Sequence, residues 1–182
     1  MHKMKKRILS ALLSMSMIVS ALTAAAPAAS VEAAEKLVNV SGSATASTED
    51  GNYGTNVIGN VIDGNEETNW QTVGKWPATA VVQLDMGRNI SEVKVKLGGD
   101  NNASRTVKVT IEYAQNGVTS DPIPFGSQTV TLNGDKTATI SVPDKVSATH
   151  FFVTLSEPKE NGNTGAFWPC VSEIEIYEKQ DV

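Results

Sequence analysis

The pattern of apolar and polar positions divides the chain in two. Residues 8–23 (ILSALLSMSMIVSALT) form a nearly continuous apolar stretch behind the basic residues Lys3, Lys5, Lys6 and Arg7. Small residues follow, from Ala24 to Ala34. A basic start, a short apolar core and a small-residue run are the three parts of a secretory signal peptide. The core is broken by Ser10, Ser14, Ser16 and Ser20, and it is short against the roughly 20 residues that span a bilayer. The expected organisation is therefore a signal peptide over residues 1–33, cut after Ala26, Ala33 or Ala34, followed by one domain over residues 34–182. The product would be secreted.

Beyond that point the period is two. Val107, Val109, Ile111 and Tyr113 alternate with Lys108, Thr110 and Glu112, which predicts a strand with one buried face. Seven further segments read as extended: Val38–Ala46, Val81–Asp85, Ile90–Leu97, Thr129–Leu132, Thr137–Val142, Phe151–Leu155 and Val171–Tyr177. In the last of these the alternation breaks near Ser172-Glu173. Gly98-Gly99-Asp100, Asn116-Gly117 and Asn161-Gly162-Asn163 mark loops, and Asn133-Gly134-Asp135 predicts a hairpin between its flanking strands. One short helical turn fits near Asn56–Ile62. The tail Glu178–Val182 is polar and predicted to fray. About eight strands and almost no helix predict an all-β fold, an eight-stranded antiparallel β-sandwich or jelly roll.

Charge narrows the choice of partner. The chain holds 15 basic and 20 acidic residues. Without residues 1–33 it loses Lys3, Lys5, Lys6, Arg7 and Glu32, leaving 11 basic and 19 acidic residues, a net −8. Such a surface repels phosphate, so neither nucleic acid nor an anionic membrane is an expected partner. Cys170 is the single cysteine. No intrachain disulfide is possible, and the thiol is expected to pack as a small apolar group.

Catalytic patterns are sparse. The domain has one histidine, His150, and no Gly-x-Ser-x-Gly turn for a serine triad. No phosphate-cradling or dinucleotide glycine loop is present. A chance carboxylate pair would be the only route to glycoside hydrolysis. The expectation is a protein that is not an enzyme.

The most informative segment is Asn60-Val61-Ile62-Asp63-Gly64-Asn65-Glu66-Glu67-Thr68-Asn69-Trp70. Asp63-Gly64-Asn65 is a tight turn rich in oxygen donors, and Thr68 adds a hydroxyl and a carbonyl. Calcium takes six to eight oxygens, so the segment suits either a calcium loop or an ordinary Asp-Gly turn.

Taken with Val81-Val82-Gln83-Leu84-Asp85-Met86-Gly87, with Arg105 ahead of Val107-Lys108-Val109, and with Ser172-Glu173-Ile174-Glu175-Ile176, this segment resembles the discoidin or coagulation-factor (F5/8) type C domains, which include family 32 carbohydrate-binding modules. The resemblance covers Val38–Tyr177. It implies a structural calcium held by the carboxylates of Asp63 and Glu173, the hydroxyl and carbonyl of Thr68, and the carbonyls of Asn60, Asn65 and Ser172. An inward Glu173 would account for the register break. It implies a ligand site in loops at one end of the sandwich, with Tyr53, Trp76, Phe167 and Trp168 as aromatics and Asn101, Asn102 and Arg105 as polar anchors.

Of Phe167 and Trp168, one is expected in the core and one outside. Trp70 is expected as a core plug, and Arg105 either touches sugar or pairs with a carboxylate. Many galactose-binding members carry a histidine just after the signature tryptophan; Gln71 stands there, which weakens a galactose assignment. The acidic surface suits a cationic polymer such as chitosan, or a neutral glucan. The expected function is a secreted, non-catalytic carbohydrate-binding module or lectin. It would be monomeric, calcium-braced and free of membrane insertion once the signal is cut. The alternatives are an adhesion domain for a protein or lipid surface and a small glycoside hydrolase.

Overall fold

A computed structural model of the chain describes residues 35–181. The expected signal peptide lies outside the described residues. No helix among them is long and apolar enough to cross a membrane. The elements are β1 (Glu35–Asn39), a 3-10 turn (Ser41–Ser43), β2 (Thr45–Ser47), a second 3-10 turn (Ile58–Ile62), β3 (Trp70–Gln71), β4 (Ala78–Leu97), β5 (Asn102–Ala114), β6 (Ile123–Leu132), β7 (Thr137–Glu160), β8 (Asn163–Thr164) and β9 (Cys170–Asp181). The fold is all-β and antiparallel, as the alternation predicts.

Two long strands make the sandwich. β4 and β7 pair with each other along most of their length, and each bends from one layer into the other. In the first layer the order is β6, β5, the C-terminal half of β7, the N-terminal half of β4, then β2. In the second, the N-terminal half of β7 lies beside the C-terminal half of β4, followed by β9 and β1. The bends are visible in the burial phase. Along β4, Ala78, Ala80, Val82, Leu84 and Ile90 are buried, then Val93, Val95 and Leu97. The inward face passes from even to odd positions at a bulge between Ile90 and Glu92. One extra residue inverts every later side chain. β7 makes the same change, from Ala138, Ile140 and Ala148 to Phe151, Val153 and Leu155.

The four separate strands expected over residues 81–97 and 137–155 are thus two. The exposed corners at Asp85–Asn89 and Pro143–Lys145 break the alternation without breaking the strand. The Asn133–Asp135 hairpin is not formed. β6 pairs only with β5, whereas β7 starts beside β4, so this turn carries the chain between layers. β6 also begins earlier than expected, at Ile123. Pro124 is tolerated there because β6 is an edge strand. The tail does not fray: β9 runs on to Asp181, paired with β1.

Phe151, Ile111, Ile174 and Ile176 fill the space between the layers and are fully buried. Each such side chain stabilises the fold by about 1.5–3 kcal/mol. Trp70 is fully buried as expected, and its indole N–H donates to the Gly51 carbonyl at 3.1 Å. Cys170 is buried, and burial pushes its thiol up to about 11.

Candidate functional site

The start of β9 shapes two neighbouring regions. A bulge opposite Lys96 and Leu97 makes Ser172 the extra residue, so Cys170 through Ile174 are all buried. This is the register break legible in the sequence, and it turns Glu173 inward, to 5% exposure.

Glu173 meets the loop that follows the second 3-10 turn. Its Oε2 accepts the Gly64 N–H at 3.1 Å. In the same loop, Asp63 Oδ1 accepts the Asn65 N–H at 2.8 Å, and its Oδ2 accepts the Thr68 hydroxyl at 2.7 Å. The Asn65 carbonyl faces Thr68 at 2.8 Å from Oγ1. Asn60 closes the loop by donating from Nδ2 to the Asn69 carbonyl at 2.8 Å. Ser172 is buried beside Glu173.

The cost of this arrangement is electrostatic. Burial, and then the nearby Asp63 carboxylate, push Glu173 up to about 7. Among the described residues no three His, Cys, Asp or Glu side chains gather as a metal cluster. The two carboxylates and the neutral oxygens of Asn65 and Thr68 form a hard, all-oxygen donor set, which fits a calcium ion.

The second region lies at the end of the sandwich where β4 ends, β5 begins and β7 ends. A cleft of about 280 Å³ is lined by Gln71, Gly98, Asp100, Arg105, Phe167 and Trp168, with Cys170 at its base. Its floor depends on two close approaches. A Cβ on Gly98 would sit 2.5 Å from Cys170 Sγ, and one on Gly165 would sit 2.4 Å from Phe167 Cε1. Only glycine lets β9 and the Phe167 ring come this near.

The aromatic residues form two edge-to-face pairs. Phe167 is half-buried against the core and meets Trp76 at 5.6 Å, while the Trp76 indole N–H donates to the Phe167 carbonyl at 2.7 Å. Trp168 points outward, 38% exposed, and meets the 46%-exposed Tyr53 at 4.6 Å. The adjacent pair divides into core and surface as an extended segment requires. Arg105 lies 4.9 Å above the Phe167 ring, and its Nε donates to Glu160 at 2.9 Å.

The polar anchors divide less evenly. Asn102 shapes the turn: its Oδ1 accepts from the Ser104 N–H at 3.0 Å and the Ser104 hydroxyl at 2.7 Å. Asn101 is exposed and does not line the cleft. Trp76 supports the site from beneath rather than facing outward. Glu160 and Asp100 belong to the site and carry no sequence signal; only the Gly98-Gly99 loop that precedes Asp100 is legible.

Comparison with known proteins agrees with this architecture. The chain is similar to the family 32 carbohydrate-binding module of C. perfringens NanJ, solved in complex with galactose: 22% identity and a TM-score of 0.62 over 80% of this chain and 100% of that one. The family 32 module of AlyQ, in complex with 4,5-unsaturated mannuronic acid, matches at 20% identity and a TM-score of 0.57 over 72% of this chain and 92% of that one. CpGH89CBM32-5 of Clostridium perfringens, in complex with GalNAc-β-1,3-galactose, matches at 17% identity and a TM-score of 0.61, covering 76% and 99%. At these identities the likeness establishes the fold. No curated protein matches the chain. The family model described as an F5/8 type C, NedA-like, galactose-binding domain matches residues 60–153, more than half of the chain, and the chain belongs to that family.

Proposed function

We propose that this chain is a secreted, non-catalytic carbohydrate-binding domain that takes a sugar ring in the loop cleft beside Trp168. The observation that carries the proposal is the pairing of an exposed aromatic platform, Trp168 on Tyr53, with a held guanidinium, Arg105. A pyranose has an apolar C–H face and a rim of hydroxyls. Trp168 offers the stacking surface, while Arg105, Gln71 and Asp100 offer donors and acceptors at the rim. Glu160 and the Phe167 ring hold Arg105 in place before any ligand arrives, which reduces the entropy lost on binding. The galactose, GalNAc-galactose and mannuronate complexes of the structural relatives support a sugar as the ligand class.

Asp63, Thr68, Asn65 and Glu173, with the carbonyls of Asn60 and Ser172, would hold a structural calcium. Bound there, the cation would neutralise two facing carboxylates and fix the loop to β9. The domain would act as a monomer outside the cell.

A glycan array probed with the chain in calcium tests the function. Binding to a defined set of glycans, reduced in Trp168→Ala, is the expected result. Turnover of a polysaccharide that survives repurification would overturn the non-catalytic reading.

A further inference from the structure

A larger cleft, of about 640 Å³, lies on the outer face of the first layer, apart from the loop aromatics. Strand register lays out its floor. Phe152 on β7 stands opposite Val81 on β4, and Val81 stands opposite Ser47 on β2. In the next rank Thr154 stands opposite Thr79, their hydroxyls 3.0 Å apart. Because Ala80, Val82, Phe151 and Val153 point into the core, Val81 and Phe152 must point out. Both are only half-buried, and exposed Pro77 closes the apolar floor.

The wall is the segment that leaves β2. Thr48 Oγ1 donates to the Thr79 carbonyl at 2.8 Å, and Asp50 Oδ2 accepts the Thr79 N–H at 2.8 Å. These two side chains occupy the edge of β4 where β2 ends. A peptide therefore cannot add there as a further strand. Glu49, between them, is exposed and makes no hydrogen bond or ion pair within the described residues. Among the described residues, Glu49 and Asp50 are the only charged ones lining the cleft. Glu112, opposite Phe152 on β5, adds a third carboxylate along the same face.

We infer that this cleft is a second carbohydrate site, selective for amino sugars. An aromatic and aliphatic floor suits the C–H face of a sugar ring. Hydroxyls from Ser47, Thr79 and Thr154 suit its rim. Carboxylates with no lining cation favour an ammonium group through charge-assisted hydrogen bonds and repel a uronate. The site does not depend on the loop cleft. The two are joined through Trp76-Pro77: Trp76 supports the loop cleft and Pro77 lines the other. A polymer long enough to reach both would gain avidity from a single domain.

The test is amide-resolved NMR titration with a glucosamine hexaose, and in parallel with a mannuronate hexaose. Glucosamine hexaose should shift the amides of Ser47–Asp50, Thr79, Val81 and Phe152. Those shifts should persist in Trp168→Ala, whose loop platform is removed. Phe152→Ala should weaken that response by about tenfold, the worth of one aromatic contact. Glu49→Lys should also weaken it, and this exposed, unpartnered position leaves the fold intact should Phe152→Ala not fold. Mannuronate should leave these amides unmoved. Glucosamine shifts confined to Tyr53, Phe167 and Trp168, or absent from the sheet cleft, would overturn the inference and leave the loop proposal standing. Equal response to mannuronate would overturn the charge selection. A response in the sheet cleft alone would instead count against the loop proposal.

Discussion

Around Phe167 the polar groups that set the geometry are satisfied by the protein itself: Arg105 by Glu160, and the Trp76 indole by the Phe167 carbonyl. Around Glu173 the balance is different. Its carboxylate has one N–H donor, from Gly64, and a second carboxylate, Asp63, close by. Both regions lean on the start of β9. The first is held in place by the protein's own hydrogen bonds. The second carries two negative charges that a proton or a cation must offset. On the proposed reading, recognition and bracing would be separate, and each could be perturbed without the other.

The largest test of that contrast is metal. Calcium at about 100 times its dissociation constant should raise the melting temperature of the metal-free domain by roughly 5–10 °C. Asp63→Ala should abolish the rise, while Trp168→Ala should keep it. No change with calcium or chelator would remove the brace from the account.

Protons should substitute in part for the cation. The folded pKa of Glu173, about 7, lies above its ordinary 4.5. The folded domain therefore holds this proton more tightly than the unfolded chain. The resulting stability is complete below 4.5 and lost as pH rises through about 7. In metal-free protein the melting temperature should fall by a few degrees from about pH 5 to about pH 8. Glu173→Gln should flatten that profile.

A smaller effect belongs to the loop cleft. Trp168→Ala should weaken glycan binding by about tenfold or more, and with Trp168 so exposed the calcium response should stay unchanged. Smallest of all is the Arg105–Glu160 pair. It is partly solvent-exposed, so Glu160→Gln should cost under about 1 kcal/mol of stability. The same change should loosen Arg105 and weaken binding more than it destabilises the fold.

The sequence conveys the parts of this molecule that depend on local pattern. Val107–Tyr113 reads as a strand because its partners lie on one face. The alternation visibly breaks at Ser172-Glu173; that the acid turns inward there is what the family resemblance implies, and Glu173 is indeed buried. What it does not convey is pairing. Asn133-Gly134-Asp135 has the chemistry of a turn, but turn chemistry does not say which strand the chain joins next. The corners of β4 and β7 look like strand ends, since an exposed bend and a loop share the same polar residues.

The site divides in the same way. Its aromatics announce themselves by residue type. Glu160, which pairs with Arg105, is one acid among many and is found only by the strand register that places it opposite. The sheet cleft was less legible still. Phe152 sits next to Phe151, and alternation alone says that one faces out, not that Ser47–Asp50 will wall it in.

The central claim, a sugar held against the loop platform, is tested most directly by the indole resonances of the three tryptophans during titration with a glycan that binds on the array. Trp168 should shift most. Trp70, fully buried and bonded to the Gly51 carbonyl, should stay still. Saturable binding that leaves the Trp168 indole unmoved would contradict the account.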